Sequence, residues 1–260
     1  MLRRRFIENL KHQQWTAAII ELGIVVLGVF IGLQASNWNE DRLSTAQAAN
    51  FAERFKADLR EEDWYYQLQI VYNRQVLANA NRAASALEGK ATMSDEALLI
   101  NAYRATQYKQ RPRRRSTYDE LIATGTIGLI RDRTLRDTAM RVYNLPTFEN
   151  MVREGMQSRY REAFRMSLPN DVQRAIGRNC GDRYVPTGDY AALTGVLDYP
   201  CTTGLSQPAI SEAVQALKFT PNLLPLLRLR ISDIETRLVD LTSNNRDVVE
   251  KLRAIAAAKP

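Results

Sequence analysis

The sequence predicts a mainly α-helical protein. One N-terminal transmembrane helix is expected to continue into a periplasmic antiparallel helical bundle that carries a small irregular, disulfide-clamped lobe. Three observations predict this fold: a long apolar stretch near the N-terminus, only 12 glycines and 9 prolines among 260 residues, and apolar residues at helical spacing near the C-terminus. A hydrophobic content of 45% and a charged content of 25% are typical of a folded chain and exclude global disorder.

The apolar stretch, residues 15–36, is predicted to be the transmembrane helix. Its apolar part carries one formal charge, that of Glu21. At 1.5 Å per residue, a helix from Trp15 to Trp38 would be roughly 35 Å long, which is enough to cross the hydrocarbon core. The two tryptophans would then act as interface anchors, because their amphipathic rings favour the membrane–water boundary. The sequence therefore predicts the lipid bilayer as a partner.

The flanking charges predict the orientation of this helix. Four basic residues, Arg3, Arg4, Arg5 and Lys11, precede the span with Glu8 as the only acid, while the opposite flank is not basic. The positive-inside rule then makes residues 1–14 a cytoplasmic basic tail of a bacterial inner-membrane protein, with the bulk of the chain in the periplasm. A cleaved signal peptide is the alternative, but Glu21 and the lack of a clean A-x-A site disfavour it.

One face of the predicted span is small and polar. Glu21, Gly28, Gly32 and Ser36 fall close to one side of a helix, and Gly28 to Gly32 form a G-x-x-x-G pattern. Small residues let two helices approach closely, so the pattern predicts a homo-oligomer that associates through the membrane. The alternative is that the pattern arises by chance and that Glu21 only orients the helix.

These same residues carry a resemblance. The run from Glu21 to Glu40, which closes with Leu-Gln-Ala-Ser-Asn-Trp-Asn-Glu, resembles the N-terminal signature of a broad family of uncharacterised bacterial single-span membrane proteins. A second, weaker stretch from Tyr118 to Asn144 is similar to the same family. Together the two cover about a quarter of the chain, and the disulfide segment lies outside them. The resemblance implies a membrane anchor and an exported helical domain, but no activity.

Residues 37–168 are predicted to form the periplasmic helices of the bundle. Leu33 to Glu88 contain no glycine or proline, so the span is expected to continue as one long helix to a C-cap at Gly89. Shorter helices should follow. Ser94 is expected to begin a helix that runs to about Tyr108. A capping box at Thr117–Glu120 should begin the next helix, which should end at Gly125. Asp132 should cap a further helix, and Pro146 should lie in the first turn of one that runs to about Ser167.

A basic run interrupts these helices. Arg111, Arg113, Arg114 and Arg115 form a candidate patch for an anionic ligand, such as lipid head groups or cell-envelope polymers. Nucleic acid is not expected as a partner outside the cytoplasm. The alternative is a solvated turn between helices, broken by Pro112.

Residues 169–207 are predicted to form the irregular lobe, because glycines and prolines concentrate there. Cys180 and Cys201, the only cysteines, have no neighbours at metal-ligand spacing. In an oxidising compartment they should pair, and the loop they close would gain roughly 3 kcal/mol in the chain-entropy model. A small hairpin inside the lobe is an open alternative.

Residues 208–260 are predicted to complete the bundle. Steps of three and four residues join nine positions: Leu227, Ile231, Ile234, Leu238, Leu241, Asn245, Val248, Leu252 and Ile255. This heptad pattern predicts one long helix, in which the polar Asn245 would fix the register or the oligomeric state, as in a coiled coil. The alternative is packing within the chain, along the first long helix.

Catalysis has little support in the sequence. The only histidine is His12, and there is no nucleophile elbow, Walker motif or dinucleotide fingerprint. We therefore expect no catalytic activity, no metal and no cofactor. The prediction is a membrane-anchored periplasmic scaffold, interaction or sensory module that works with an unidentified envelope or membrane protein. The alternative is an envelope lipid- or glycan-binding protein or hydrolase that uses the disulfide lobe and the basic patch.

Overall fold

The computed structural model describes the backbone of residues 2–258, together with the side chains of Trp15 and of residues 19–258. Helices make up 77% of the structure, and the described residues contain no strand. The predicted mainly helical fold is therefore confirmed at this level. The side chains of the predicted basic tail, residues 1–14, lie outside the described residues.

The helices of the described residues follow one another along the chain. They are α1 (Leu2–Leu87), α2 (Asp95–Ala105), α3 (Ser116–Ala123), α4 (Arg133–Asn144), α5 (Thr147–Met156), α6 (Arg159–Ser167), α7 (Asn170–Cys180), α8 (Gln207–Phe219), α9 (Leu223–Val239) and α10 (Arg246–Ala257). Two 3₁₀ turns, at Ile127–Leu129 and Ala191–Gly195, and a π turn at Asp240–Asn244 complete the structure.

The chain divides into two compact units. An N-terminal unit comprises Met1–Ala52 and Gly128–Arg131, and a C-terminal unit comprises Glu53–Ile127 and Asp132–Pro260. The C-terminal unit contains a hydrophobic core built from the last turns of α1 and from α2, α6, α7, α8 and α9. Within it α2 lies against α8, and α9 lies against α6.

Small and large side chains alternate in this core. Ala80 and Ala83 of α1 are fully buried, and the absence of larger side chains there lets neighbouring helices approach closely. Leu99 of α2 and Leu227 of α9 are fully buried as well. Tyr160 of α6 is almost fully buried, and its hydroxyl donates to the Ala102 carbonyl at 2.9 Å. The core therefore satisfies the polar atom of that large aromatic residue.

Several predicted helix ends are confirmed. Helix α1 ends at Leu87, and Gly89 follows with φ +72°, as a C-terminal glycine should. Ser94 and Asp132 cap α2 and α4, because their side chains accept from the backbone N–H groups three residues later. Gly125, with φ +69°, follows the end of α3.

The capping box predicted at Thr117 is wrong. Thr117 lies inside α3, whose N-cap residue, Arg115, makes no capping hydrogen bond with its side chain. The Thr117 N–H instead donates to Asp58 Oδ2 at 3.2 Å. A carboxylate from α1, 59 residues away in the chain, therefore satisfies a donor that the sequence assigned to a local partner.

The single helix predicted from Pro146 to Ser167 is also wrong, because it is interrupted between Met156, where α5 ends, and Arg159, where α6 begins. The side chain of Ser158 caps α6 by accepting from the Arg161 N–H. Gly155 lies so close to Tyr108 that an added Cβ would come within 2.4 Å of the tyrosine Cβ. The last turn of α5 therefore depends on a residue without a side chain.

The lobe predicted for residues 169–207 is irregular only in part. Residues Asn170–Cys180 form the regular helix α7, and the irregular stretch, here called the disulfide loop, covers residues 181–206. Since no strand occurs in the described residues, the hairpin alternative does not hold. The predicted pairing of Cys180 with Cys201 is confirmed, with the two Cα atoms 5.6 Å apart.

The single C-terminal helix predicted from the heptads is wrong. Helix α9 ends at Val239, a π turn follows, and α10 begins at Arg246. Asn245 lies at this break, where its Nδ2 donates to the Asp240 carbonyl at 2.8 Å and its own carbonyl accepts from two N–H groups of α10. The apolar positions Leu241 and Leu252 are fully buried within the chain. The heptads therefore describe internal packing, and α10 lies against α4.

One buried carboxylate in the C-terminal unit carries a pH dependence. Asp63 of α1 is 3% exposed, and its Oδ2 accepts from the Tyr190 hydroxyl at 2.7 Å. Within the described residues its Oδ1 has no hydrogen-bond partner. Burial raises the pKa of Asp63 above its usual value of 3.8, and the hydrogen bond from Tyr190 opposes that shift. The folded state therefore holds the proton more tightly than the unfolded state.

We predict that Asp63→Asn gains stability, relative to the unmodified chain, as the pH rises from 4 to 7. Below pH 3.8 Asp63 is protonated in both the folded and the unfolded chain, so it costs no stability. Above its raised folded-state pKa the folded chain carries a buried charge that lowers its stability, and asparagine lacks that charge. Thermal unfolding of the full chain in detergent at several pH values measures the difference in Tm. Asp137→Asn, at an exposed position of α4, is the control. A difference in Tm that stays constant or falls with pH would contradict the prediction.

Candidate functional site

The apolar segment, residues 15–38 of α1, presents its side chains to the surroundings. Between Ile19 and Leu33 every large apolar side chain is at least 57% exposed. Trp15 and Trp38 are 69% and 68% exposed. Among the described residues, α1 is the one helix long and apolar enough to cross a membrane, and a signal sequence near the N-terminus would look the same. The segment thus has the length and composition of a membrane span or of a signal sequence.

The predicted association face of this segment is open within the chain. A Cβ added at Gly28 or at Gly32 would meet no heavy atom within 4 Å, and the same holds for Gly23. Ser36 donates to Glu40 at 3.4 Å along the same helix, and Glu21 is exposed. A side chain at any of these glycines would therefore leave the fold of a single chain undisturbed.

The arginine loop, residues 106–115, joins α2 to α3 and contains the four arginines of the predicted patch. Arg113 is not at the surface, since its side chain is only 8% exposed. Its Nε and Nη2 donate to Glu62 Oε2 at 3.0 and 2.8 Å, and the backbone N–H of Arg114 donates to Glu62 Oε1 at 3.1 Å. The Arg113 guanidinium also lies over the rings of Tyr143 and Phe148. It therefore ties the loop to α1.

The other arginines of the loop also have partners. Arg114 lies 3.6 Å from Asp58, and Arg115 pairs with Asp119 in α3. Arg111 lies over the Trp64 ring at 4.9 Å and donates to Thr187 of the disulfide loop. Because three of the four positive charges face a carboxylate, the loop does not present one free basic patch.

Hydrogen bonds from α1, α2 and α7 hold the disulfide loop. The Gln75 side chain of α1 donates to the carbonyls of Leu193 and Thr194 and accepts from the N–H groups of Leu197 and Asp198, all at 2.8–3.0 Å. That amide thereby uses both of its donors and its acceptor oxygen. A loop whose regular structure is a single 3₁₀ turn thus gains a fixed path over α1.

Arg104 of α2 holds the two ends of the disulfide. It is buried and donates to the Cys180 carbonyl at 3.1 Å, the Tyr199 carbonyl at 2.9 Å and Cys201 Sγ at 3.3 Å. Burial lowers the pKa of Arg104, and the nearby carboxylate of Asp198 opposes that shift. Its role is therefore to fasten the disulfide loop to α2.

The described residues contain no group of three or more His, Cys, Asp or Glu side chains placed to hold a metal ion.

A second set of arginines, which the sequence did not suggest, lines a cavity of about 260 Å³ at the junction of α2, α6 and α7. We call it the arginine cavity. Its lining residues are Tyr103, Thr106, Gln107, Arg161, Phe164, Arg165, Asn170, Gln173 and Arg174. Three of these are arginines and none is an acid, so the cavity walls carry only positive charge.

The three arginines differ in how firmly they are held. Arg161 donates through Nη1 to the Thr106 carbonyl at 3.0 Å and lies over the Tyr108 ring at 5.0 Å. Burial and the positive charge of Arg165 lower the pKa of Arg161. Arg165 and Arg174 are exposed. Among the described residues, none of the three lies within ion-pair distance of a carboxylate, in contrast to most of the arginine loop.

The sequence held a weak signal for this cavity. Arg161 and Arg165 are four residues apart, so they share one face of α6. Nothing in the spacing shows, however, that the first turns of α7 bring Arg174 to the same place. The break at Ser158, which was not predicted, separates α6 from α5.

Comparisons with protein-family models, curated proteins and solved structures find no match to this chain. The similarity of residues 21–40 to the single-span family therefore stays a prediction. The chain's own exposed apolar segment, its two fastened loops and its arginine cavity carry the functional inference.

We predict that Arg113→Ala destabilises the protein by about 3–5 kcal/mol, because it leaves the buried carboxylate of Glu62 without its counter-charge. Arg115→Ala removes the same charge two residues later, from an exposed pair worth at most about 1 kcal/mol. Chemical unfolding of the full chain in detergent measures both.

The double variant Glu62→Leu with Arg113→Met tests the reason for that loss. It removes both charges together and should recover much of the stability. Equal effects of Arg113→Ala and Arg115→Ala would show that burial of the ion pair does not matter.

Proposed function

We propose that the chain is a single-span protein of the bacterial inner membrane whose helical C-terminal unit serves in the periplasm as a scaffold, interaction or sensory module without catalytic activity. One observation carries the proposal: the run of exposed apolar side chains between Ile19 and Leu33. Each such side chain gains about 1.5–3 kcal/mol when it leaves water, so this surface needs an apolar cover. A bilayer matches it in length and chemistry.

The disulfide supports the periplasmic placement. Cys180 and Cys201 are paired, and disulfides persist mainly in oxidising compartments. Export through a cleaved signal sequence would give the same pairing, so the two routes differ only in whether the apolar segment stays attached. The exposed tryptophans at its ends favour a retained anchor, because such rings prefer the membrane–water interface.

An interaction role suits the C-terminal unit better than chemistry at its loops. The arginine loop and the disulfide loop use their polar groups on internal partners such as Glu62, Gln75 and Arg104. This weakens the alternative of a lipid- or glycan-binding protein or hydrolase that acts through those two loops. We propose a second copy of the chain and an unidentified envelope or membrane protein as partners.

We predict that the full-length chain, in the cells that produce it, stays in the membrane fraction after alkaline extraction and keeps its N-terminal residues. Cys180 and Cys201 should resist maleimide labelling until a reductant is added. The Cys180→Ser variant, which frees Cys201, is the control for labelling. A soluble chain shortened near Ala35 would overturn the anchor, and free thiols in untreated cells would overturn the periplasmic placement.

We predict that Gly28→Leu weakens self-association of the span at least several-fold in a reporter of transmembrane association, because the larger side chain holds two helices apart. Gly23→Leu is the matched control, since Gly23 lies on the opposite side of α1 from Gly28 and Gly32. Neither change meets a neighbouring atom within one chain. Equal signals from both variants would mean that the small-residue face does not pair helices.

A further inference from the structure

We propose that the arginine cavity is a binding site for a phosphate group, carried by a soluble phosphate ester or by a lipid head group. The site is independent of the membrane anchor, because every residue that lines the cavity belongs to the C-terminal unit. It also differs from the predicted patch on the arginine loop, with which it shares no arginine.

The cavity carries positive charge that no carboxylate in its lining balances. Arg161, Arg165 and Arg174 line one cavity, and no carboxylate lines it with them. Elsewhere in the same unit, the chain provides Glu62 for Arg113 and Asp119 for Arg115. At the arginine cavity, by contrast, Arg161 and Arg165 repel each other without an internal counter-charge. An anion bound between them would remove that repulsion.

The acids that act on the lining residues or adjoin them in sequence do not fill this role. Asp182 acts on Tyr103 through space, but its carboxylate is already taken by Lys109 Nζ at 2.9 Å and by the Tyr72 hydroxyl at 2.8 Å. Glu162 and Asp171 are neighbours of the lining residues in sequence, and neither lines the cavity. The positive charge of the cavity is therefore left for a ligand.

The cavity has one fixed and two adjustable cations. Arg161 is held by the Thr106 carbonyl and by the Tyr108 ring, so its guanidinium is already oriented. Arg165 and Arg174 are exposed and can turn toward a ligand. Planar guanidinium groups bind phosphate oxygens through paired hydrogen bonds, which favours phosphate over a single-point anion such as chloride.

The remaining lining adds neutral groups of suitable size. The Tyr103 hydroxyl and the Asn170 side chain are polar, and Phe164 contributes an apolar wall. A volume of about 260 Å³ is below the usual range of pockets for drug-sized ligands, so it suits a compact head group better than a whole lipid or a long polymer.

The test is titration calorimetry on the full-length chain in an uncharged detergent, with inorganic phosphate and glycerol 3-phosphate as probes at constant ionic strength in chloride. The test variant carries Arg165→Gln and Arg174→Gln, two exposed positions whose loss should not disturb the fold. The matched control carries Arg159→Gln and Arg178→Gln, which remove two exposed arginines from the same helices, α6 and α7, outside the cavity. Circular dichroism verifies that both variants are folded, and Arg174→Gln alone replaces the double change if it is not.

We expect saturable binding of glycerol 3-phosphate that weakens at least tenfold in the test variant and less than twofold in the control. A soluble short-chain phosphatidic acid distinguishes the two sources: tighter binding than glycerol 3-phosphate indicates a lipid head group, and equal binding indicates a soluble ester. Equal losses in the two variants, or no saturable binding of any phosphate probe, would overturn the proposal. Binding of an acidic peptide at the cavity in place of phosphate would overturn it as well.

Discussion

The buried carboxylate of Glu62 is the constraint on which much of the C-terminal unit depends. It is 1% exposed, and a charge in that position costs several kcal/mol unless it is paired and hydrogen-bonded. The Arg113 side chain and the Arg114 backbone N–H donate hydrogen bonds to this carboxylate, so the arginine loop has to pass α1 at Glu62. The Arg113 guanidinium also lies over the rings of Tyr143 in α4 and Phe148 in α5, so both helices contact the same ion pair.

The same logic extends along α1 in both directions. One turn before Glu62, Asp58 accepts from the first turn of α3 and so supplies the cap that α3 lacks in its own sequence. Further along, Gln75 uses its whole amide on the disulfide loop. The long helix therefore acts as a polar template, and the segments without regular structure follow the hydrogen-bonding groups that it offers. The disulfide adds a covalent limit at the far end of that loop.

This template explains which parts of the fold the sequence could predict. Signals that act within one turn, such as the caps at Ser94 and Asp132 and the glycine at Gly89, gave correct helix ends because donor and acceptor are close in the chain. The Cys180–Cys201 pair was predictable because no other cysteine exists. The capping box predicted at Thr117 and the continuous helix predicted through Asn245 are wrong for the opposite reason. Local spacing alone predicts a role for each, while Asp58 from a distant segment bonds the first and a π turn ends directly before the second.

The arginines show the same limit for function. Four neighbouring arginines in the sequence suggested a patch, yet the fold matches Arg113, Arg114 and Arg115 with carboxylates that only the folded chain brings near. Arg161 and Arg165 belong to no such run in the sequence, and among the described residues no carboxylate lies within ion-pair distance of either.

What a charged or apolar group can do is thus decided by whether the chain satisfies it internally. A protein is expected to act through the groups that it leaves unsatisfied, because every satisfied group would have to give up its internal partner first. By that criterion the exposed apolar segment supports the proposed membrane anchor, and the arginine cavity supports the proposed anion site. The arginine loop, despite its charge, helps to hold the fold of the C-terminal unit together.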